Sequence, residues 1–568
     1  MDPRLRPVAA PADPRVRPVG AGASAPRNAA VAVPGIDEPG DLPDPGPDID
    51  LPPPWFDPAA RRHACPENLP GEYRRADATR AYTVGPVSSS TSGQATIYTV
   101  GGSLLASADR VALEQPLATF LATNGVPNGA IAVLDSAGRL IHCAGLTNLS
   151  VYQYIREQPS WAGPHSGFRV GSVSKTFTAW AACRLADLEV FGNMQDLLHE
   201  YVDLDRLPEA VDKGLVDEKW IPQRGARHDD RAWRESITLE HLLTHRGGWF
   251  DDGYSSTQLK NGQLVVAGVY PYVSYPMTRS RGVMGKNISS FHEEMAEANR
   301  ATWPVTHDHM LRYFNLWPLA FEPGSHYCYS NLGYWMLGRA IEGASCRGYD
   351  AFVREALLRP LGMRDTRVGP DLSRERGLGE LPVFGYRWPG SAATVATLSQ
   401  SFQGKGGSYT TTDLEDYEPY AERRLRLTDA AGGWVSSAYD LALYARETFY
   451  RQALFDHKVW YGEMLRYQGA TGQSSGMGYG WESGGWHGSG SWFKTGHVSG
   501  GAADVYHEGS STGSRGLSLV VLYNRFPFTS SESADKATDK AMRKAVVAGL
   551  QAVALPSAGQ DLFRIIPP

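Results

Sequence analysis

A serine followed three residues later by a lysine is the first feature of this sequence that could do chemistry. Ser172 and Lys175 stand in the run FRVGSVSKTFTAW, where a glycine and polar residues lead into an apolar helical pattern. A spacing of three places both side chains on one helix face. Near a helix N-terminus the serine oxygen lies among unpaired N–H groups, and burial or nearby cations can make the lysine a base. The pair is a candidate nucleophile and base, although SxxK alone is a weak signal.

Two further motifs follow in order. A Tyr-Ser-Asn run occupies 329–331, and a Lys-Thr-Gly run occupies 494–496. With SxxK they make the three-part signature of penicillin-recognising serine hydrolases. The chain therefore resembles the β-lactamase-related family, which includes class C β-lactamases, DD-peptidases, D-amino-acid amidases, penicillin-binding-protein-type thioesterases and family VIII carboxylesterases. Family-like segments at 237–249, 357–366 and 430–445 extend the resemblance over roughly residues 105–555.

The resemblance implies a role for four residues of the first two motifs. It makes Ser172 the acylated nucleophile, and it lets Lys175 and Tyr329 share the general-base and general-acid work. Asn331 would orient the acyl side chain of the substrate and Lys175. The oxyanion hole would consist of the backbone N–H groups of Ser172 and His497, which needs no particular side chain.

The Lys-Thr-Gly run bears on the substrate. The resemblance makes Lys494, Thr495 and Gly496 substrate-binding residues, and a cation beside a hydroxyl favours a carboxylate-bearing amide or ester. His497 stands where β-lactamases usually carry a small residue, so its side chain is expected to narrow the pocket or contact substrate. The 157 residues from 172 to 329 (329 minus 172) indicate insertions near 200–235 and 251–306 that would wall or lid the cleft.

The elements that must position these residues run as strands, helices, strands and a final helix. Helical patterns cover 109–124, 175–188, 238–245, 331–342, 349–358, 438–450 and 535–553; strand-like runs cover 94–100, 491–495, 502–508 and 517–525, with a hairpin at 130–145. This order predicts an α+β fold of the β-lactamase/DD-peptidase type, with an antiparallel sheet flanked by helices and a mainly helical inserted region.

The segments on either side of the predicted hydrolase domain are interpreted separately. Fifteen of the 38 prolines fall between Pro3 and Pro58, so residues 1–60 are predicted to be a flexible or polyproline II arm. Residues 61–104 are interpreted as a connecting or cap segment. The hydrolase domain is placed at 105–555 and a C-terminal tail at 556–568.

Charge and hydropathy exclude several classes of partner. Lys plus Arg (55) minus Asp plus Glu (61) leaves a net charge of -6, so no nucleic-acid partner is expected. The sequence has no apolar run of about 18 residues and no signal-like start, so neither a membrane span nor export is expected. The chain is predicted to be cytoplasmic, or periplasmic or secreted if its N-terminus has been trimmed. Five scattered cysteines favour reduced thiols.

Other motifs are discounted. The two GxSxG matches at 472–476 and 509–513 do not lie between a strand and a helix, so both are interpreted as loops. His241 and His245 are four apart, but Leu242 stands where HExxH needs glutamate, which favours packing or capping. A solvated loop is expected at 307–309, where His-Asp-His lacks further metal ligands.

These observations predict a serine hydrolase without metal or cofactor, forming an acyl-enzyme at Ser172 on small ester or amide substrates. A carboxylesterase is the first hypothesis. β-Lactamase, DD-peptidase, D-aminopeptidase and biosynthetic thioesterase or acyltransferase activities use the same residues and stay open, as does the oligomeric state. A catalytically silent scaffold is the alternative of another class, and five intact motif residues argue against it.

Overall fold

The computed structural model describes the region that carries the motifs and part of its surroundings. The described residues are 88–92, 95–152, 160–204, 231–249, 259–260, 263–264, 305–315, 319, 321–371, 375–377, 379–383, 425–466, 476–484, 490–498, 500–509, 515–526, 532–556 and 559–564. The predicted proline-rich arm and most of both predicted insertions lie outside these residues.

One antiparallel sheet organises the described residues. Its nine strands lie in the order β1-β2-β4-β3-β14-β13-β12-β11-β10. The strands are β1 Ser88–Ser92, β2 Ala95–Ser103, β3 Asn128–Leu134, β4 Leu140–Asn148, β5 Phe168–Arg169, β6 Leu259–Lys260, β7 Gln263–Leu264, β8 Arg367–Val368, β9 Trp434–Ser436, β10 Gly476–Met477, β11 Glu482–Ser483, β12 Trp492–Val498, β13 Gly501–His507 and β14 Ser518–Tyr523. Strands β5, β9 and β8 form a small second sheet, and β6 pairs with β7.

Helices cover both faces of the main sheet. The described α-helices are α1 Ser107–Thr123, α2 Leu149–Tyr152, α3 Ser174–Asp187, α4 Arg231–Glu235, α5 Leu239–Leu243, α6 His307–Asn315, α7 Asn331–Ser345, α8 Tyr349–Val353, α9 Arg359–Leu361, α10 Asp429–Gly432, α11 Ala438–Arg446, α12 Val459–Met464 and α13 Glu532–Ala552. Helices α1 and α13 pack together on one face, and α11 packs on the other. The predicted fold class is confirmed.

Side chains alternate between two apolar cores along the central strands, as the pleat requires. In β3, Ala130 and Ala132 join the larger core with α3, α7 and α11, whereas Ile131 and Val133 join the smaller core with α1 and α13. Strands β13 and β14 alternate in the same way. Because both faces are covered, these strands are mostly apolar rather than alternately polar, and Asp504 of β13 is a buried exception.

The chain outside the predicted domain also joins the sheet. Strand β2, from the predicted connecting segment, pairs along its length with β4. In the predicted tail, the Asp561 carboxylate accepts a 3.0 Å hydrogen bond from the Leu140 N–H, and Leu562 is buried. Both segments therefore contribute to packing, and the domain boundaries stay predictions. Among the described helices, none combines the length and apolar character that a membrane crossing needs.

The expectation of reduced cysteines is wrong at one position. Cys143, Cys183 and Cys328 are free and buried, but Cys346 is disulfide-bonded. Cys65 lies outside the described residues. Sequence spacing could not show this, because disulfide formation depends on which backbone segments the tertiary fold brings within about 7 Å.

A buried polar contact joins α1 to the sheet. The Glu114 carboxylate of α1 lies 3.4 Å from His142 Nε2 of β4 and accepts a 3.3 Å hydrogen bond from the Thr99 hydroxyl of β2. Burial raises the pKa of Glu114 to about 7, although Arg110 opposes this shift. Burial lowers the pKa of His142 to about 3. Both groups are therefore uncharged between about pH 3 and 7.

Glu114→Gln should make the protein less sensitive to alkali. Between about pH 4.5 and 7 the unfolded chain releases a proton that folded Glu114 keeps, so folding stability falls through this window. Glutamine stays neutral at both pH values. The free energy of unfolding of the variant, relative to that of wild type, should therefore be about 2 to 3 kcal/mol higher at pH 8 than at pH 4.5. Denaturant unfolding at both pH values measures this, with exposed Glu322→Gln as the control. If the variant and wild type differed in free energy of unfolding by the same amount at both pH values, the raised pKa of Glu114 would be contradicted.

Candidate active site

Gly171, the residue before Ser172, adopts the backbone conformation that the turn containing Ser172 requires. Gly171 has φ +52°, and a Cβ there would lie 2.9 Å from the His497 nitrogen. A side chain would therefore be strained by the backbone and blocked by the neighbouring strand. The turn Gly171–Val173 leads directly into α3, with Ser172 partly exposed at its start.

Lys175 lies in the first turn of α3 and is fully buried. Its Nζ donates to Ser172 Oγ at 3.1 Å, to Asn331 Oδ1 at 2.5 Å and to the Ala431 carbonyl oxygen at 2.5 Å. An ammonium has three N–H donors, and three acceptors from three separate segments surround this one. The sequence spacing of Ser172 and Lys175 thus corresponds to a direct contact.

The Tyr-Ser-Asn motif is held by the start of α7. Ser330 is the N-cap residue, and its hydroxyl accepts a 2.9 Å hydrogen bond from the Gly333 N–H. Tyr329 therefore lies in the loop just outside the helix and Asn331 in its first turn. The Tyr329 hydroxyl donates to Ser172 Oγ at 2.6 Å. Ser172, Lys175, Tyr329 and Asn331 are thus brought together.

Lys494, from strand β12, completes the charged groups around Tyr329. Its Nζ lies 5.3 Å from the centroid of the Tyr329 ring, and Lys175 Nζ lies 5.0 Å from it. The buried Lys494 ammonium also donates to the Glu482 carboxylate at 2.9 Å. The Lys-Thr-Gly motif alone predicts that Lys494 binds a substrate carboxylate, and it does not reveal Glu482. No motif identifies Glu482, because the contact depends on the pairing of β11 with β12.

Strand β12 reaches the Ser172 turn at Gly496. Strand β11 pairs only with Trp492 and Phe493, so the described sheet leaves the rest of this edge of β12 open towards the turn. A Cβ on Gly496 would lie 1.9 Å from the Val170 oxygen and 2.8 Å from the Ser172 nitrogen. The amide of Ser172 and the strand segment that carries His497 are therefore adjacent, and Thr495 pairs with Asp504 of β13.

The expectation that the His497 side chain enters the pocket is wrong. Its Nε2 lies 2.8 Å from the Asp539 carboxylate of α13, on the other face of the sheet. Burial lowers the pKa of His497, which favours the neutral ring. Burial alone would raise the pKa of Asp539, but the His497 hydrogen bond and the Arg543 charge outweigh it and lower that pKa. Successive side chains of a strand point to opposite faces of the sheet. Gly496 faces the Ser172 turn, so His497, the next residue of β12, faces α13.

The structure shows what several of the motifs without a predicted catalytic role do. The His241 ring accepts from the Thr238 N–H and closes a capping box at α5, as the capping interpretation predicted. His307 begins helix α6, so the expected loop at 307–309 is wrong. His307, Glu342 and Asp429 come within reach of one metal ion, but the Arg339 guanidinium already pairs with both carboxylates. The serines of both GxSxG matches lie outside the described residues.

Comparison with known proteins identifies the family. The model of the Beta-lactamase family matches residues 113–542, about three quarters of the chain. The chain belongs to the beta-lactamase family. The resemblance drawn from the three motifs is confirmed, and the protein is a hydrolase of the type that includes β-lactamases and penicillin-binding proteins.

Curated relatives of this family member match over short stretches. The D-alanyl-D-alanine-carboxypeptidase/endopeptidase AmpH of Escherichia coli (strain K12) is 37% identical over 76 residues, which is 13% of this chain and 20% of that protein. Penicillin-binding protein 4* of Bacillus subtilis (strain 168) is 25% identical over 210 residues, 36% of this chain and 31% of that protein. The chain thus spans between a fifth and a third of these relatives.

Solved structures match over a greater length. The octameric penicillin-binding protein homologue from Pyrococcus abyssi has a TM-score of 0.50 at 18% identity and covers 77% of each chain. The D-stereospecific amidohydrolase from Streptomyces sp. has a TM-score of 0.46 at 19% identity, over 75% of this chain and 97% of that one. The first of these shows a shared fold.

Gly496→Ala should impair the site with one added methyl group. The new Cβ overlaps the Val170 oxygen, so β12 has to move away from the Ser172 turn. We expect kcat on p-nitrophenyl butyrate to fall about 100-fold, as for other displacements near 1 Å. Gly462→Ala in α12 is the matched control, because no neighbouring atom lies within 4 Å of its Cβ position. Wild-type kcat in Gly496→Ala would contradict the close contact.

Proposed function

We propose that this protein is a serine hydrolase that forms a covalent acyl-enzyme at Ser172. The observation that carries the proposal is the position of Ser172 Oγ, 2.6 Å from the Tyr329 hydroxyl and 3.1 Å from Lys175 Nζ. Both distances are within hydrogen-bond reach of a nucleophile and its base.

In the proposed acylation step, Tyr329 acts as a phenolate. The Ser172 hydroxyl proton passes to the Tyr329 oxygen while Oγ forms a bond to the substrate carbonyl carbon. The ammonium groups of Lys175 and Lys494, 5.0 and 5.3 Å from the ring centroid, favour the negative phenolate. The tetrahedral intermediate then collapses, and the leaving group takes the proton from Tyr329. Water repeats the sequence with the acyl-enzyme and releases the acid.

The oxyanion of the intermediate is assigned to two backbone amides. The Ser172 N–H belongs to the turn that leads into α3, and the His497 nitrogen lies beside this turn, 2.9 Å from the place of a Cβ on Gly171. Preorganised backbone donors of this kind need no reorganisation when charge develops, and loss of one donor costs roughly 100- to 1,000-fold in kcat.

The preferred substrates are proposed to be small uncharged esters, which makes carboxylesterase the leading activity. The Lys494 ammonium is paired with the Glu482 carboxylate at 2.9 Å, so a substrate carboxylate has to compete with an internal one. An uncharged acyl group meets no such competition. Carboxypeptidase activity on D-alanyl-D-alanine peptides is the second candidate, supported by the names of the curated relatives and by the retained Lys-Thr-Gly motif.

Parallel assays decide between these candidates. We expect wild type to hydrolyse p-nitrophenyl butyrate faster than a chromogenic cephalosporin or a D-Ala-D-Ala peptide. Ser172→Ala should lose at least about 1,000-fold in kcat on every substrate, because no other group replaces the nucleophile. Exposed Ser236→Ala serves as the control. Faster release of D-alanine would replace the esterase with the carboxypeptidase, and unchanged turnover by Ser172→Ala would refute the acyl-enzyme.

A further inference from the structure

His245 contacts the active-site tyrosine from behind, at a point where the backbone turns sharply. It follows the end of α5 with φ +57°, in the left-handed region that non-glycine residues seldom adopt. Its side chain is 1% exposed, so it has no access to a substrate. A buried histidine in an unusual backbone conformation beside a reacting group calls for a physical explanation.

His245 accepts two hydrogen bonds, one from the residue before Tyr329 and one from the residue after it. The His245 carbonyl oxygen accepts from the Cys328 N–H at 2.8 Å, and the Nδ1 atom accepts from the Ser330 N–H at 3.0 Å. The residues before and after Tyr329 are thus both tied to one residue. Since Nδ1 accepts, the proton of the neutral ring is on Nε2. No acceptor among the described residues pairs with that atom.

The ring itself supports the tyrosine ring. The centroids of His245 and Tyr329 are 4.4 Å apart at an interplanar angle of 32°, and the Tyr334 centroid lies 4.9 Å from that of His245. Contact at this distance restricts tilting of the phenol, whose oxygen lies 2.6 Å from Ser172 Oγ. A small rotation of the ring would therefore lengthen the hydrogen bond that the proposed proton transfer uses.

The charge of His245 fits this location. Burial, and then the positive charges of Lys494 and Lys175, lower its pKa well below the usual 6.5. The ring is accordingly neutral at neutral pH and adds no third cation to the site. A lysine or arginine here would add a charge, whereas a neutral acceptor of the same reach would not.

We propose that His245 is a positioning residue, which holds Tyr329 in the orientation that the reaction of Ser172 requires. The proposal rests on the proposed function, since it takes Tyr329 as the proton carrier. It assigns the effect to the Nδ1 hydrogen bond and the ring contact, and it gives His245 no contact with substrate.

Paired substitutions test this role. His245→Leu removes the acceptor, whereas His245→Asn keeps an acceptor at the same distance from the backbone and tolerates positive φ. We expect kcat on p-nitrophenyl butyrate to fall about 100-fold in the leucine variant with KM changed less than about threefold. The asparagine variant should lose about tenfold. Equal kcat in wild type and His245→Leu, or an effect confined to KM, would overturn the proposal.

A double substitution separates positioning from a general packing defect. The readout is the rate of Ser172 labelling by a fluorophosphonate, which registers slow variants and does not depend on substrate affinity. In a Tyr329→Phe background, His245→Asn should cause no further loss, because the hydroxyl that it positions is gone. The same loss in both backgrounds would overturn the proposal. Full labelling of Ser172→Ala would instead refute the proposed function itself.

Discussion

A fully buried ammonium on Lys175 constrains the centre of this molecule. Removing an ammonium from water costs several kcal/mol unless acceptors replace the solvent. Here the acceptors come from the turn before α3, from the first residue of α7 and from the carbonyl of Ala431 in α10. A buried ion pair, Arg339 with Asp429 at 2.7 Å, joins α7 to α10 and so holds that carbonyl in place. Three helices are thereby fixed around one cation.

The charges around Tyr329 are also balanced by neighbouring groups. Lys494 is matched by Glu482, and His245 is neutral because burial and both lysines disfavour its protonated form. The Lys175 ammonium next to Ser172 donates to neutral oxygens of Ser172, Asn331 and Ala431. In the proposed mechanism this leaves a positive field that stabilises a phenolate and an oxyanion without an excess of repelling cations.

Sequence patterns predicted those features of the fold and of the site that involve residues close together in the chain. The spacing of three between Ser172 and Lys175 gave their contact, and the apolar runs gave the hairpin of β3 and β4, the helix α7 and the long C-terminal helix. Motif order, through the family resemblance, led to Tyr329, Asn331 and Lys494. These residues come from distant segments, and no periodicity in the sequence places them together.

The features that sequence analysis missed depend on strand register and tertiary packing. Glu482 meets Lys494 because β11 pairs with β12, and His497 faces α13 because the strand alternates at that position. His245 was interpreted as a packing or capping residue, and only the fold shows which ring it packs on. The disulfide at Cys346 likewise depends on proximity in three dimensions.

Direct detection of the covalent intermediate is the most decisive measurement. Wild-type protein is treated with a fluorophosphonate, digested and mapped by mass spectrometry, with Tyr329→Phe and Ser172→Ala treated in parallel. The account predicts one adduct, on the peptide containing Ser172, formed at least about 100-fold more slowly in Tyr329→Phe and absent in Ser172→Ala. An adduct on another serine, or equal labelling rates with and without the Tyr329 hydroxyl, would contradict it.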